Sequence, residues 1–290
     1  MPELPEVETI RRRLAPLVEG RVVDAIDVLD ARWCAPLPPV AVQDVVAGRR
    51  VEQLGRRGKY LLWQFEDDIT LLMHLRMTGT ILYDADPSQR YQRVVITLDD
   101  GHELRFCDPR RFGTGELAIG PDALDRFLDA RLGVEPLDGT LNGPLLYRLT
   151  RNRRAPIKAF LLDQRRIAGV GNIYADEALY RAGLHPFRAA GKLTRAQCDR
   201  LAETVQEALE AGLAAGGATI DDFRHPDGVY GGFQHDFLVH RREGEPCDAC
   251  GTTIVKFVAA GRGTYTCERC QKRPRGVKRP APRAGLPGRR

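Results

Sequence analysis

Met1-Pro2-Glu3-Leu4-Pro5-Glu6-Val7-Glu8 opens the chain. Cytosolic aminopeptidases remove an initiator Met that precedes a small residue, which would leave Pro2 with a free secondary amine and the Glu3 carboxylate beside it. An α-amine titrates near about 8, so a useful neutral fraction exists at neutral pH and attacks carbon electrophiles. The adduct of a secondary amine with a sugar C1′ is an iminium with no N–H to lose, so it stays cationic and draws electrons for elimination. The plain structural reading is a helix start, with Pro5 in the first turn and acids facing the positive end of the dipole. Beyond it, Val7, Ile10, Leu14 and Leu17 recur at helical spacing while Arg11, Arg12 and Arg13 fall largely off that stripe. The spacing predicts an amphipathic helix from Pro5 to about Val18, ended by Gly20, that anchors the N-terminus and holds Pro2 in place.

With 290 residues the chain can bury two cores. Apolar content of 43% and charged content of 29% fit a globular protein. No run of about 18 apolar residues and no basic-then-apolar leader is present, so no membrane span or secretory signal is expected. The net charge of +5 misleads as a nucleic-acid signal, because residues 273–290 alone hold seven Arg or Lys and no acid. Any contact with DNA must come from local patches on a body that is slightly negative without that tail. Seven Cys, an odd number, argue for a reducing cytosol.

From Arg21 to about Leu117 the text is strand-like. Val22–Val28, Tyr60–Phe65, Ile69–His74, Val94–Leu98 and Glu103–Phe106 are short, β-branched or aromatic, and Asp99-Asp100-Gly101 is a hairpin turn. Many short strands without intervening helices predict an antiparallel sandwich or barrel. Gly58-Lys59-Tyr60 opens one strand, and a Lys at such a loop mouth is ordinarily solvated. Two loops, His74-Leu75-Arg76-Met77-Thr78-Gly79 and Asp108-Pro109-Arg110-Arg111-Phe112-Gly113, each put a large apolar side chain beside Arg. Met77 and Phe112 are then either core residues or, with Arg110, a wedge that holds base steps unstacked.

Asp122–Leu132 carries Leu124, Phe127 and Leu128 on one helical face. Thr150-Arg151-Asn152-Arg153-Arg154 is a basic cluster, followed by a helix from Ile157 to Gln164. Gly169-Val170-Gly171-Asn172 is a glycine turn opening a further helix, Ile173 to Arg181; a dinucleotide fingerprint fails because Tyr174 stands at the third glycine position. Backbone amides at such a start, with the Asn172 amide, can grip a phosphate. Thr194 and Gln197 form a capping box for a helix bearing Leu201, Val205, Leu209 and Leu213, stopped by Gly216-Gly217. Residues 218–235 lack periodicity, and a loop of that length is usually functional or mobile.

Cys247-Asp248-Ala249-Cys250 and Cys267-Glu268-Arg269-Cys270 have the spacing of a four-Cys zinc site. Two close thiolate pairs suit tetrahedral Zn²⁺, and four thiolates close its shell, which makes the role structural. Disulfides are the alternative, and a reducing cytosol disfavours them. The span between reads as a hairpin with Gly261-Arg262-Gly263 at its tip. Cys34, Cys107 and Cys198 read as ordinary buried thiols, and the tail after Lys272 as disordered and basic.

In this order along one chain the motifs resemble a formamidopyrimidine-DNA glycosylase from residue 2 to about residue 272. Leu4, where the related endonuclease VIII has Gly, points to the purine-lesion branch. The resemblance implies a multidomain α+β fold: an N-terminal antiparallel β-sandwich with its helix over 1–130, a helix–two-turn–helix domain with a lesion-capping loop over 131–235, a β-hairpin zinc finger over 236–272 and the tail at 273–290. DNA would cross the cleft between domains. Pro2 matches the nucleophile, Glu3 the general acid/base, and Lys59 a lysine near the lesion and its phosphate. Met77, Arg110 and Phe112 match the residues that fill the vacated stack, with Arg110 facing the orphaned cytosine. Arg154, Asn172 and Arg262 match backbone clamps, Arg262 grouped with the catalytic set. Glu6 matches a further carboxylate near the sugar, Lys158 lies in the family's helix, and residues 217–235 match the loop over the everted base. Tyr91 departs from the pattern, standing where many members carry a DNA-contacting His; Arg93 is the cation expected to replace its charge.

The implied activity is a bifunctional glycosylase and AP lyase for oxidised purines in double-stranded DNA, with one structural zinc, working as a cytoplasmic, nucleoid-associated monomer without a membrane. Two rivals are an endonuclease VIII-like enzyme for oxidised pyrimidines and a non-catalytic zinc-ribbon protein for damaged DNA. Intact Pro2, Glu3 and Lys59 favour the enzyme.

Overall fold

The computed structural model of the chain describes residues 2–219 and 224–277. Met1, residues 220–223 of the long loop and residues 278–290 of the expected basic tail lie outside them. The chain forms two compact units, one of Met1–Gly133 with Glu210–His235, the other of Val134–Leu209 with Asp236–Arg290. The stretch expected as one helical domain, 131–235, is thus shared between them.

In the first unit, helix α1 (Leu4–Val18) follows from its apolar stripe: Leu4, Val7, Ile10, Leu14 and Val18 are fully buried. Its start is closed by a reciprocal capping box between Glu3 and Glu6. After it come β1 (Val23–Val28), α2 (Pro39–Val46), β2 (Val51–Arg57), β3 (Tyr60–Phe65), β4 (Ile69–His74), β5 (Thr80–Tyr83), β6 (Gln92–Leu98), β7 (Glu103–Cys107), β8 (Thr114–Ile119) and α3 (Ala123–Asp129). They build two antiparallel four-stranded sheets, ordered β1-β6-β7-β5 and β2-β3-β4-β8. One core cluster joins Ile26, Val94, Ile96 and Phe106 of the first sheet to Leu54, Leu61, Trp63, Leu71 and Met73 of the second, with α1 packed on it. This is the expected sandwich.

Strand β3 reads as an almost continuous apolar run because both its faces are covered. Leu61, Trp63 and Phe65 enter the sandwich core, while Tyr60 and Leu62 meet Leu124, Phe127 and Leu128 of α3. Helix α2 corrects the expectation of strands alone. Pro39 occupies its first turn, where a missing N–H costs nothing, and Val42 and Val46, one turn apart, are buried.

The second unit holds α4 (Gly143–Thr150), α5 (Ile157–Leu162), α6 (Asn172–Arg181) and α7 (Arg195–Ala214), then the hairpin β9 (Val255–Ala259) and β10 (Arg262–Thr266). Residues from Glu210 onward in α7 count with the first unit. The Thr194–Gln197 capping box is present, with the Thr194 amide 3.1 Å from Gln197 Oε1 and the Gln197 amide 3.2 Å from Thr194 Oγ1. The hairpin turns at Ala260-Gly261, one residue earlier than expected, so Arg262 pairs with Ala259 at the start of the return strand. Among the described residues no helix is long and apolar enough to cross a membrane.

Candidate active site and nucleic-acid interface

Pro2 and Glu3 are buried at the mouth of α1. The Glu3 amide donates to Glu6 Oε2 at 2.8 Å, and Glu6 Oε1 accepts the Ala218 amide at 2.7 Å. Glu6 thus holds the N-terminal peptide to the glycine turn after α7. Gly217 is required in that turn: it has φ +81°, and an added Cβ would lie 2.9 Å from Glu6 Cγ. Two residues further on, Glu8 accepts from Arg11 and Arg12 on its own helix and from Arg56 of β2. Burial works to raise its pKa, but these bonds and charges win and hold the carboxyl at about 2.

Lys59 is not a solvated surface lysine. It lies in the tight turn between β2 and β3 and is only 6% exposed. His74, opposite Tyr60 in the sheet, is held neutral: burial first, then the Arg76 and Lys59 cations, press its pKa down to about 3. Its Nδ1 accepts the Arg76 amide at 3.0 Å, fixing a left-handed residue (φ +56°) just before Met77.

The two loops that carry Met77 and Phe112 are joined by a residue whose role the sequence does not disclose. Asp108, fully buried, accepts Thr78 Oγ1 at 2.5 Å and the Arg110 amide at 3.1 Å on Oδ1, and the Phe112 and Gly113 amides at 2.8 Å on Oδ2. The only advance signal was an Asp-Pro pair after an apolar strand, a common turn opener. With its backbone so fixed, Phe112 stands 51% exposed with the Arg110 guanidinium 4.8 Å over its ring, and Met77 is half-buried. The core reading of Phe112 is therefore wrong. An exposed aromatic on an immobilised loop is a wedge geometry.

Tyr91 is 45% exposed at φ +67°, on the rim of a cavity of about 690 Å³ that also involves Thr78, Thr80, Arg90 and Arg224. Arg93 does not replace a missing charge there. It turns inward, donating to the Asp108 carbonyl at 2.9 Å and facing Asp30 at 4.0 Å. The neighbouring cation is Arg90, whose guanidinium lies 5.1 Å from the Tyr91 ring centre.

In the second unit, Arg154 is exposed on a loop pinned by the Gly191 amide to Arg153 O and the Ala190 amide to Ala155 O, each 2.9 Å. Asn172 opens α6, and its Nδ2 donates to the Gly263 carbonyl at 2.9 Å, next to the exposed Arg262. The same carbonyl receives the buried Lys158 ammonium at 3.3 Å.

Cys247, Cys250, Cys267 and Cys270 bring their sulfurs within 4.8 Å of one another, and none is in a disulfide. Three of the separations are 3.9 Å (Cys247–Cys270), 3.6 Å (Cys250–Cys270) and 3.4 Å (Cys250–Cys267). Tetrahedral Zn²⁺ with bonds of about 2.3 Å needs sulfurs ~3.8 Å apart, so the cluster fits one structural zinc per chain.

Three family models match: the formamidopyrimidine-DNA glycosylase N-terminal domain over residues 1–115, the H2TH domain of the same enzymes over 132–224, and a zinc finger found in FPG and IleRS over 244–273. The formamidopyrimidine-DNA glycosylase of Geotalea uraniireducens is 44% identical over 273 residues, covering 93% of this chain and 100% of the relative. That of Alkalilimnicola ehrlichii is 44% identical over 281 residues. Among solved structures, a Lactococcus lactis FPG variant bound to Fapy-dG-containing DNA superposes with a TM-score of 0.88 at 32% identity, covering 94% of this chain and 100% of that one. The Thermus thermophilus MutM (FPG) protein gives 0.84 at 43% identity, covering 93% and 98%.

Proposed function

Because the chain belongs to the formamidopyrimidine-DNA glycosylase family, we propose that it removes 8-oxoguanine and ring-opened formamidopyrimidines from duplex DNA with Pro2 as nucleophile. It is a base-excision-repair glycosylase with the family's AP lyase activity, and in this reading it acts as a cytoplasmic monomer. The supporting observation is the anchoring of residue 2. Pro2 is buried directly ahead of a helix whose Leu4, Val7, Ile10, Leu14 and Val18 are fully buried, and the Glu3 amide beside it is capped by Glu6.

The damaged nucleotide must leave the stack, since C1′ cannot be reached inside a duplex. Phe112 and Met77 fill the gap, and Arg110 faces the orphaned cytosine. The Pro2 nitrogen forms a bond to C1′ as the C1′–N9 bond breaks. The base departs with that electron pair and takes a proton from solvent. Glu3 protonates the ring oxygen as C1′–O4′ opens, and the amine proton is lost, leaving an iminium. That cation acidifies the C2′ proton, whose removal expels the 3′ phosphate. A second elimination, with loss of the C4′ proton, expels the 5′ phosphate. Lys59 supplies positive charge near the lesion phosphate, while Tyr91, Arg154, Asn172 and Arg262 hold the backbone. Zinc supplies folding free energy to the finger, since four thiolates leave it no open position.

Release of 8-oxoguanine opposite cytosine and of thymine glycol from otherwise identical duplexes tests the substrate class. Faster release of 8-oxoguanine is expected. A strong preference for thymine glycol would move the substrate to oxidised pyrimidines.

A further inference from the structure

Asp176 lies on α6 one turn after Asn172 and is fully buried. Its Oδ1 accepts the Lys158 ammonium at 2.7 Å; its Oδ2 accepts His240 Nδ1 at 2.9 Å and faces the Tyr265 amide at 3.4 Å. Lys158 is itself fully buried, and its other protons point to Thr264 Oγ1 at 2.7 Å and the Gly263 carbonyl at 3.3 Å. Thr264 Oγ1 passes the contact on, donating to the Arg262 carbonyl at 3.1 Å. The Asn172 amide meets the same Gly263 carbonyl at 2.9 Å. A chain of hydrogen bonds therefore runs from one carboxylate to the backbone of residues 262–264 and to the side chain that opens α6.

A lysine with no exposure is tolerated only beside a counter-charge, because an isolated ammonium in a low-dielectric interior costs several kcal/mol. Such a pair adds little to stability compared with apolar residues of the same volume. What it adds is direction: the ammonium is aimed at the Gly263 carbonyl and at Thr264 Oγ1, which relays to the Arg262 carbonyl, all at the start of β10. We propose that Asp176, acting through Lys158, is a positioning residue that holds Arg262 and the Asn172 amide in fixed register as a two-point grip on the DNA backbone. The proposal rests on reading Arg262 and Asn172 as backbone contacts. In Asp176→Asn the charge is lost, and an amide NH₂ must face either the ammonium or the His240 ring and the Tyr265 amide, so one side of the residue loses its acceptor and the ammonium loses its counter-charge.

The test compares wild type, Asp176→Asn, the apolar pair Lys158→Met/Asp176→Leu, Arg262→Ala and Asp176→Asn/Arg262→Ala. Each is the full chain with one zinc bound, and each is titrated onto a duplex containing a tetrahydrofuran abasic analogue at several salt concentrations. The apolar pair keeps the interior filled, and the melting curve of each variant separates a loss of folding from a loss of binding. Expected for Asp176→Asn and for the apolar pair is roughly tenfold weaker binding and a salt slope shallower by about one contact, as for Arg262→Ala. Adding Asp176→Asn to Arg262→Ala should cost less than the product of the two single losses, since both act on the Arg262 contact and only the Asn172 contact remains to be lost. Wild-type affinity and slope in Asp176→Asn and the apolar pair, beside a normal Arg262→Ala loss, would overturn the proposal alone. So would losses that multiply in the combined variant. An unchanged slope in Arg262→Ala would remove the backbone-contact reading and the proposal with it.

Discussion

Glu6 accepts the backbone amide of Ala218 at 2.7 Å, across 212 residues of sequence. Its other oxygen accepts the Glu3 amide, so one buried carboxylate fixes both the residue behind the proposed nucleophile and the turn leaving α7. Glu6→Gln keeps the shape but must turn an NH₂ toward one of the two amides. The expected cost is about 1–3 kcal/mol of stability, with slower single-turnover excision. A wild-type melting curve and rate would show that Glu6 does not position the N-terminus.

Glu8 makes the first unit acid-sensitive. Its folded pKa of about 2 lies below the ordinary carboxylate value of 4.5, so the stabilisation is complete above the higher value and fades as pH falls towards the lower one. Glu8→Gln should lose on the order of 2–3 kcal/mol at neutral pH and flatten the acid limb of the stability profile. Urea unfolding at neutral pH and near pH 3 checks this; parallel profiles for variant and wild type would contradict it.

Asp108 and Phe112 should separate folding from wedging. Asp108→Ala strands three loop amides and a hydroxyl, at an expected cost of about 3 kcal/mol. Phe112→Ala, at a site 51% exposed, should leave stability within about 0.5 kcal/mol yet slow excision from duplex. Equal effects of the two changes on melting would refute the division of labour.

Removal of zinc should unfold the finger and abolish DNA binding, because metal binding supplies most of the folding free energy of so small a module. Elemental analysis should return one zinc per chain. Active protein with no zinc would refute the structural role.

Local features were the legible ones. The α1 stripe, the Thr194–Gln197 box and the paired Cys motifs are each set by near neighbours; the box and the Cys motifs stand as read, and the stripe does at Val7, Ile10 and Leu14 but not at Leu17, which is exposed while Val18 is buried. Helix α2 was missed because three of its first four residues are Pro or Val, which read as a break or a strand until Val42 and Val46 find the sandwich core. The burial of Lys59, the inward turn of Arg93 and the hub roles of Asp108 and Asp176 depend on partners brought close only by folding. Asp176 meets Lys158 across 18 residues and Tyr265 across 89, and no spacing rule reaches that far.

Borohydride trapping addresses the nucleophile most directly. Protein whose N-terminal mass shows Met1 removed is incubated with 8-oxoguanine duplex and borohydride, and the adduct is located by peptide mass. A covalent complex through Pro2 is expected, absent from protein that retains Met1. Cutting of oxidised DNA at full rate by the Met1-bearing chain, or an adduct on another residue, would contradict the assignment of Pro2.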